Sequence, residues 1–200
     1  PQRFKSGLAS DDAWDIDTYF RMARGRSARG EDAAACEMTK WFDTNYHYIV
    51  PEFSEQQSFK LNASQYISEI KQAQQLSKKV KPVIIGPLTY LWLGKAQGEF
   101  NKLNLLPDLV TAYRELLHEV ASLGIEWLQI DEPILVLDLP QAWQQAFEAV
   151  YNQLNSSPVQ LMLTTYFGEL KDNLNLACQL PVAGLHLDVV RGADQLKTIL

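Results

Sequence analysis

Two hundred residues, 46% of them hydrophobic and 21% charged, can bury a sizeable core and do not read as a disordered chain. The formal charge of −6 argues against non-specific binding to nucleic acid or to an anionic membrane, both of which need a basic face. No apolar run approaches the ~20 residues of a membrane span, and the N-terminus lacks a charged-then-apolar leader, so the chain reads as cytoplasmic.

In chain order, Trp14 to Met22 has the look of a helix arriving from earlier sequence. It runs into Arg21, Arg24, Arg26 and Arg29, which have no acid among them and are interspersed with Gly25 and Gly30. In an acidic chain this local reversal of sign suggests an anion-binding loop, set against the plainer reading of a solvated basic loop paired with nearby acids. Lys40 is expected one short helix downstream. Residues 37–53 are then dense in aromatic and hydrogen-bonding side chains, which suits a ligand cleft in which Lys40, Asn45 and His47 address carboxylates or amides. Within that segment Tyr46 to Val50 reads as a strand ending before Pro51, and its spacing alone favours a core position for His47.

Further on, Asn62 and Gln65 have capping-box spacing for a helix over 62–79. Val83-Ile84-Ile85 is a short β-branched run closed by Gly86-Pro87, a buried strand. Leu109, Val110, Tyr113, Leu116, Leu117 and Val120 recur at helical spacing over 107–123, with Pro107 in the first turn and Gly124 at the C-cap. That helix feeds an apolar strand ending in Asp131-Glu132-Pro133. A helix over 140–154 opened by Pro140, strands at 161–165 and 184–188 and a final helix over 194–200 complete the order.

About five strands, starting near 46, 82, 126, 160 and 184, alternate with helices at the interval used by a (β/α)8 barrel. Such a barrel needs about 250 residues, so the expected fold is α/β, an incomplete (β/α)8 TIM barrel of parallel strands with flanking helices. A small doubly wound sheet is the other architecture, but no Gly-x-Gly-x-x-Gly turn supports it. An open barrel segment of this kind is expected to self-associate through uncovered edges and helix faces, or to be only marginally stable.

In parallel α/β folds reactive groups gather at the C-terminal ends of strands, where Asp131 and Glu132 stand. One reading is an acid and base pair in a self-contained small-molecule enzyme; the other is that a carboxylate caps or pairs with a neighbouring loop. His186 and Asp188 share a strand face that a metal could use with Asp131, but His47, His118 and His186 sit on separate elements. No ligand cluster is therefore expected. Cys36 and Cys178 have no nearby partner motif and read as two ordinary buried thiols.

The run from Glu37 to Phe53, EMTKWFDTNYHYIVPEF, closely resembles a segment in the N-terminal half of the cobalamin-independent methionine synthase family. Lys81 to Lys95, Gln129 to Pro133 and Gly184 to Asp188 resemble the same family and arrive in its order. The resemblance implies two face-to-face (β/α)8 barrels, residues 1–200 being part of the N-terminal one. It implies transfer of a methyl group from 5-methyltetrahydropteroyltri-L-glutamate to zinc-bound homocysteine, with zinc, homocysteine and the proton-donating histidine in a C-terminal barrel absent from these residues. No cofactor, metal or catalytic residue is then expected in this chain, which alone would be inactive, and the Asp131-Glu132 strand end becomes a relic of a shared fold. One site transfers by the motif: Lys40 on the folate polyglutamate tail. The family's other N-terminal folate contacts come from a basic segment that lies outside these residues.

Overall fold

The computed structural model describes residues 16–76 and 79–199. In chain order the elements are α1 (Ile16–Arg24), β1 (Met38–Lys40), β2 (His47–Ile49), β3 (Glu52–Phe53), α2 (Ser64–Leu76), β4 (Val83–Ile85), α3 (Pro87–Leu93) and β5 (Lys95–Ala96). There follow α4 (Leu106–Ser122), β6 (Trp127–Asp131), α5 (Gln141–Leu154), β7 (Gln160–Thr164), α6 (Leu174–Gln179), β8 (Gly184–His186) and α7 (Gln195–Ile199). The described chain divides into two compact units: residues up to Glu55 with Leu93–Phe100, and Gln56–Trp92 with Asn101 onward.

The second unit is built on a parallel sheet in the order β4-β6-β7-β8. Alternation along β6 and β7 sends Leu128, Ile130, Leu161 and Leu163 to one face, where they are buried. Leu109, Val110, Leu117 and Val120 of α4 and Phe147, Val150, Tyr151 and Leu154 of α5 supply the rest of the core. The opposite face is more open: Val83 is 47% exposed, His186 is exposed, and Gln129 and Met162 are half-buried. Strand order advances in one direction only, so right-handed crossovers carry the helices to one side of the sheet; a doubly wound sheet reverses direction and covers both. The fold is α/β with parallel strands and flanking helices, compatible with part of a barrel.

Several boundaries fall close to expectation. Gly124, at φ +74°, ends α4 with its N–H donating to the Ala121 carbonyl at 2.9 Å. The capping box at Asn62 does not form. Asn62 Oδ1 accepts from the Ser64 hydroxyl at 3.1 Å, while Gln65 reaches forward to Glu69 Oε1 at 2.9 Å. Trp14 and Asp15, at the expected start of the first helix, lie outside the described residues, as do Ser77, Lys78 and Leu200.

The first unit departs further. Tyr46 to Val50 does contain a strand, but β2 pairs antiparallel with β1 in a hairpin and joins no parallel sheet, which leaves four of the five expected strands together. The short helix expected before Lys40 is replaced by irregular chain leading into β1. β3 and β5 form a separate parallel pair. Gly94 packs against Phe53, where a Cβ would lie 2.1 Å from the ring.

Candidate functional site

Lys40 is the last residue of β1 and is exposed. The turn that follows is tightly tied: Trp41 N–H donates to the Tyr46 carbonyl at 2.7 Å, and the Thr44 hydroxyl donates to the Trp41 carbonyl at 2.7 Å. Tyr46 N–H returns a bond to Thr44 Oγ1 at 3.1 Å, and Phe42 takes φ +51° to close the turn. Trp41 meets Phe42 and Tyr48 edge to face, with centroids 5.2 and 5.7 Å apart. Tyr48 donates to the Leu93 carbonyl at 3.4 Å, and burial, then the charge of Glu37, pushes its phenol pKa up. Glu37 itself is ion-paired with Lys95. The aromatic density read from the sequence therefore forms a scaffold holding Lys40 outward. His47 is exposed beside it, contrary to the core position that its spacing favoured, because the hairpin leaves that face uncovered.

The arginines before the hairpin do not act as one cluster. Arg21 is 2% exposed and donates to the Glu31 carbonyl at 3.3 Å, with Gly30 at φ +84° packed so closely that a Cβ there would lie 2.0 Å from Nη1. Arg24 lies over the Phe20 ring, and Arg29 Nε is 3.7 Å from Asp17 Oδ2. Arg26 is exposed. Arg21 is thus part of the fold, and Arg29 stands near an acid.

In the second unit the Asp131-Glu132 pair is split by strand alternation. Glu132 is fully buried; its Oε2 accepts from Thr89 N–H at 2.7 Å and its Oε1 from Leu88 N–H at 3.2 Å and the Tyr151 hydroxyl at 3.3 Å. These are the first free N–H groups of α3, so the carboxylate closes that helix's N-terminus from another strand. Burial pushes its carboxyl pKa up to about 7, against the downward pull of the hydrogen bonds from Thr89, Leu88 and Tyr151. Asp131 lies half-buried, accepting from Gln129 Nε2 at 2.8 Å and from the Tyr166 hydroxyl at 3.1 Å. An acid and base flanking one reacting bond would need a shared cleft, and these two carboxylates leave opposite faces of β6. Of the two readings offered by the sequence, the helix cap is what Glu132 does.

His186 and Asp188 also part company. His186 Nδ1 is 3.0 Å from the Thr165 carbonyl. Asp188 accepts from the backbone N–H of Arg191 at 2.9 Å, Val190 at 3.1 Å and Phe167 at 3.0 Å, which lowers its carboxyl pKa. Among the described residues no group of three or more His, Cys, Asp or Glu stands where it could hold a metal ion. Cys36 is buried, but Cys178 is exposed on α6, so the expectation of two buried thiols fails at Cys178. His118 is exposed on α4. None of the described helices is long and apolar enough to cross a membrane.

Sequence reasoning missed Tyr151 and Tyr166, the hydroxyl partners of the two carboxylates, which helical or strand-end position alone does not single out. It also missed α3, although Gly86-Pro87 is a helix-opening signal with Pro at the first position.

A family model described as the N-terminal domain of the cobalamin-independent synthase matches residues 1–200. A protein of Coxiella burnetii (strain Dugway 5J108-111) named 5-methyltetrahydropteroyltriglutamate–homocysteine methyltransferase is 55% identical over 201 residues, covering 100% of this chain and 25% of that protein. One of the same name from Saccharophagus degradans is 54% identical over 192 residues, covering 92% of this chain and 25% of its own length. The chain thus spans about a quarter of the curated relatives it matches. A family model matched over the whole chain, with relatives this similar, makes the chain a member of the cobalamin-independent synthase family, matching its N-terminal domain.

Proposed function

We propose that this chain is the folate-holding part of a methyltransferase that moves the methyl group of 5-methyltetrahydropteroyltri-L-glutamate to homocysteine, forming methionine. The observation that carries the reading is the 55% identity, along the whole chain, with a protein named for that reaction. Lys40 acts on the polyglutamate tail: an exposed ammonium on a rigid hairpin suits a flexible, carboxylate-bearing chain better than a reacting methyl group. Homocysteine is activated elsewhere in the full-length protein, where a zinc ion would hold its sulfur as the thiolate. The residues described here do not fit that ion, since a zinc thiolate site needs Cys and His ligands at close range.

Kinetics of Lys40→Ala in the full-length enzyme on triglutamate and monoglutamate folate test the assignment. A lysine on a partly exposed carboxylate contributes on the order of 1 kcal/mol, so KM for the triglutamate should rise several-fold with kcat nearly unchanged. The effect should shrink with added salt. An equal loss on both folates, or a collapse of kcat with KM intact, would give Lys40 a different job.

A further inference from the structure

The hairpin register sets Lys40 directly across from His47. Main-chain bonds join Val50 N–H to the Glu37 carbonyl at 2.8 Å and Trp41 N–H to the Tyr46 carbonyl at 2.7 Å. Antiparallel ladders alternate, so Lys40 and His47 form a non-hydrogen-bonded pair, the kind whose side chains stand closest, with Cα atoms ~4.5 Å apart. Both side chains are exposed and leave the same face of the hairpin, away from Thr39 and Tyr48.

The histidine ring is also oriented. Its Nδ1 lies 3.1 Å from the Asn45 carbonyl, and because a carbonyl only accepts, Nδ1 carries the hydrogen. Nε2 is therefore the nitrogen left for an outside partner. A charged His47 opposite Lys40 would face a like charge at close range, an unfavourable pairing that a bound carboxylate between them relieves.

We propose that His47 is a second anion-binding residue of this site, taking a carboxylate of the same polyglutamate tail through Nε2 when its ring is protonated. This rests on the reading that Lys40 holds the tail. A triglutamate presents carboxylates on successive residues, enough for two neighbouring cations, whereas a monoglutamate ends after one residue. The titratable groups of the hairpin around the ring are Lys40 across the ladder, Asp43 in the turn, Tyr46 just before its strand, Tyr48 on its own strand, and Glu37, which Lys95 engages. Binding of the triglutamate is accordingly tighter where histidine is charged, while the tail's own carboxylates are ionised throughout.

The test measures dissociation constants of triglutamate and monoglutamate 5-methyltetrahydrofolate at pH 6 and pH 8 in the full-length enzyme, for the unmodified protein, His47→Gln, His47→Lys and Lys40→Ala. The unmodified enzyme should bind triglutamate about three- to fivefold tighter at pH 6 than at pH 8, with little change for monoglutamate. His47→Gln should match the pH 8 value at both pH values, and His47→Lys, with a fixed charge, should bind tightly at both. Retention of the full pH dependence in His47→Gln, or an equal loss on the monoglutamate, overturns the proposal while leaving Lys40 on the tail. Lys40→Ala without any dependence on tail length removes the reading for both residues.

Discussion

Gly86 and Glu132 compete for one volume: a Cβ on Gly86 would lie 2.1 Å from both Cδ and Oε1 of the Glu132 carboxylate. The carboxylate is buried on every side and already engaged by two backbone donors and Tyr151, so it has nowhere to retreat. Gly86→Ala should therefore cost about 2–3 kcal/mol of unfolding free energy by overpacking and by lifting the carboxylate off α3. Urea denaturation of the chain measures this. A loss no larger than that of an ordinary surface substitution would mean that the carboxylate has an alternative seat.

The same carboxyl makes stability depend on pH. Its pKa is raised from 4.5 to about 7, so the stabilisation linked to its protonation is fully present below about 4.5 and is lost as pH rises through 7. The contribution is on the order of 3 kcal/mol at most. Glu132→Gln cannot ionise and should flatten the stability curve between these limits, as read from urea midpoints across the range. An unchanged slope in that variant would place the pH dependence on other groups.

We propose that the isolated chain self-associates through its sheet. Within the described ladder β4 pairs with β6 and β8 with β7, each on one side, and the face carrying Val83, Gln129 and Met162 is incompletely covered. Exposed strand edges and apolar faces recruit further chains. Sedimentation of the 200-residue chain should show species larger than a monomer that grow with concentration. A sharp monomer across the range counts against it.

The isolated chain should form no methionine when supplied with homocysteine and triglutamate 5-methyltetrahydrofolate, because among the described residues no His, Cys, Asp and Glu cluster is arranged to hold a metal that would generate the thiolate. Methionine detected above the rate without protein would overturn this division of labour.

The sheet of the second unit was legible because short apolar runs at Val83, Trp127, Leu161 and Gly184 alternate with helical stretches, although only the first is β-branched and Val83 itself is exposed. The hairpin was only half legible: β1 is exposed at Met38, Thr39 and Lys40 and shows no alternation, so its partner β2 looked like another parallel strand. His47 was misplaced for the same reason, since a strand's period states which residues share a face but not whether that face is covered. The proposal for Lys40 comes from the motif around it and not from its own surroundings. The role of Glu132 was open from sequence, because its partners, Leu88, Thr89 and Tyr151, are separated from it in the chain and come together only on folding.

The bond from Leu88 N–H to Glu132 spans 44 residues, and this has a consequence for the order in which the chain can fold. A helix as short as the seven residues of α3 is marginal in isolation, and its free N–H groups are completed by a side chain that leaves the ribosome only after all of α4. During synthesis α3 must therefore wait for β6 to dock, which makes the two cooperative despite their distance. Native-state hydrogen exchange reads this directly: the amides of Leu88 and Thr89 should exchange in step with those of β6, whereas faster, independent exchange would show α3 opening by itself.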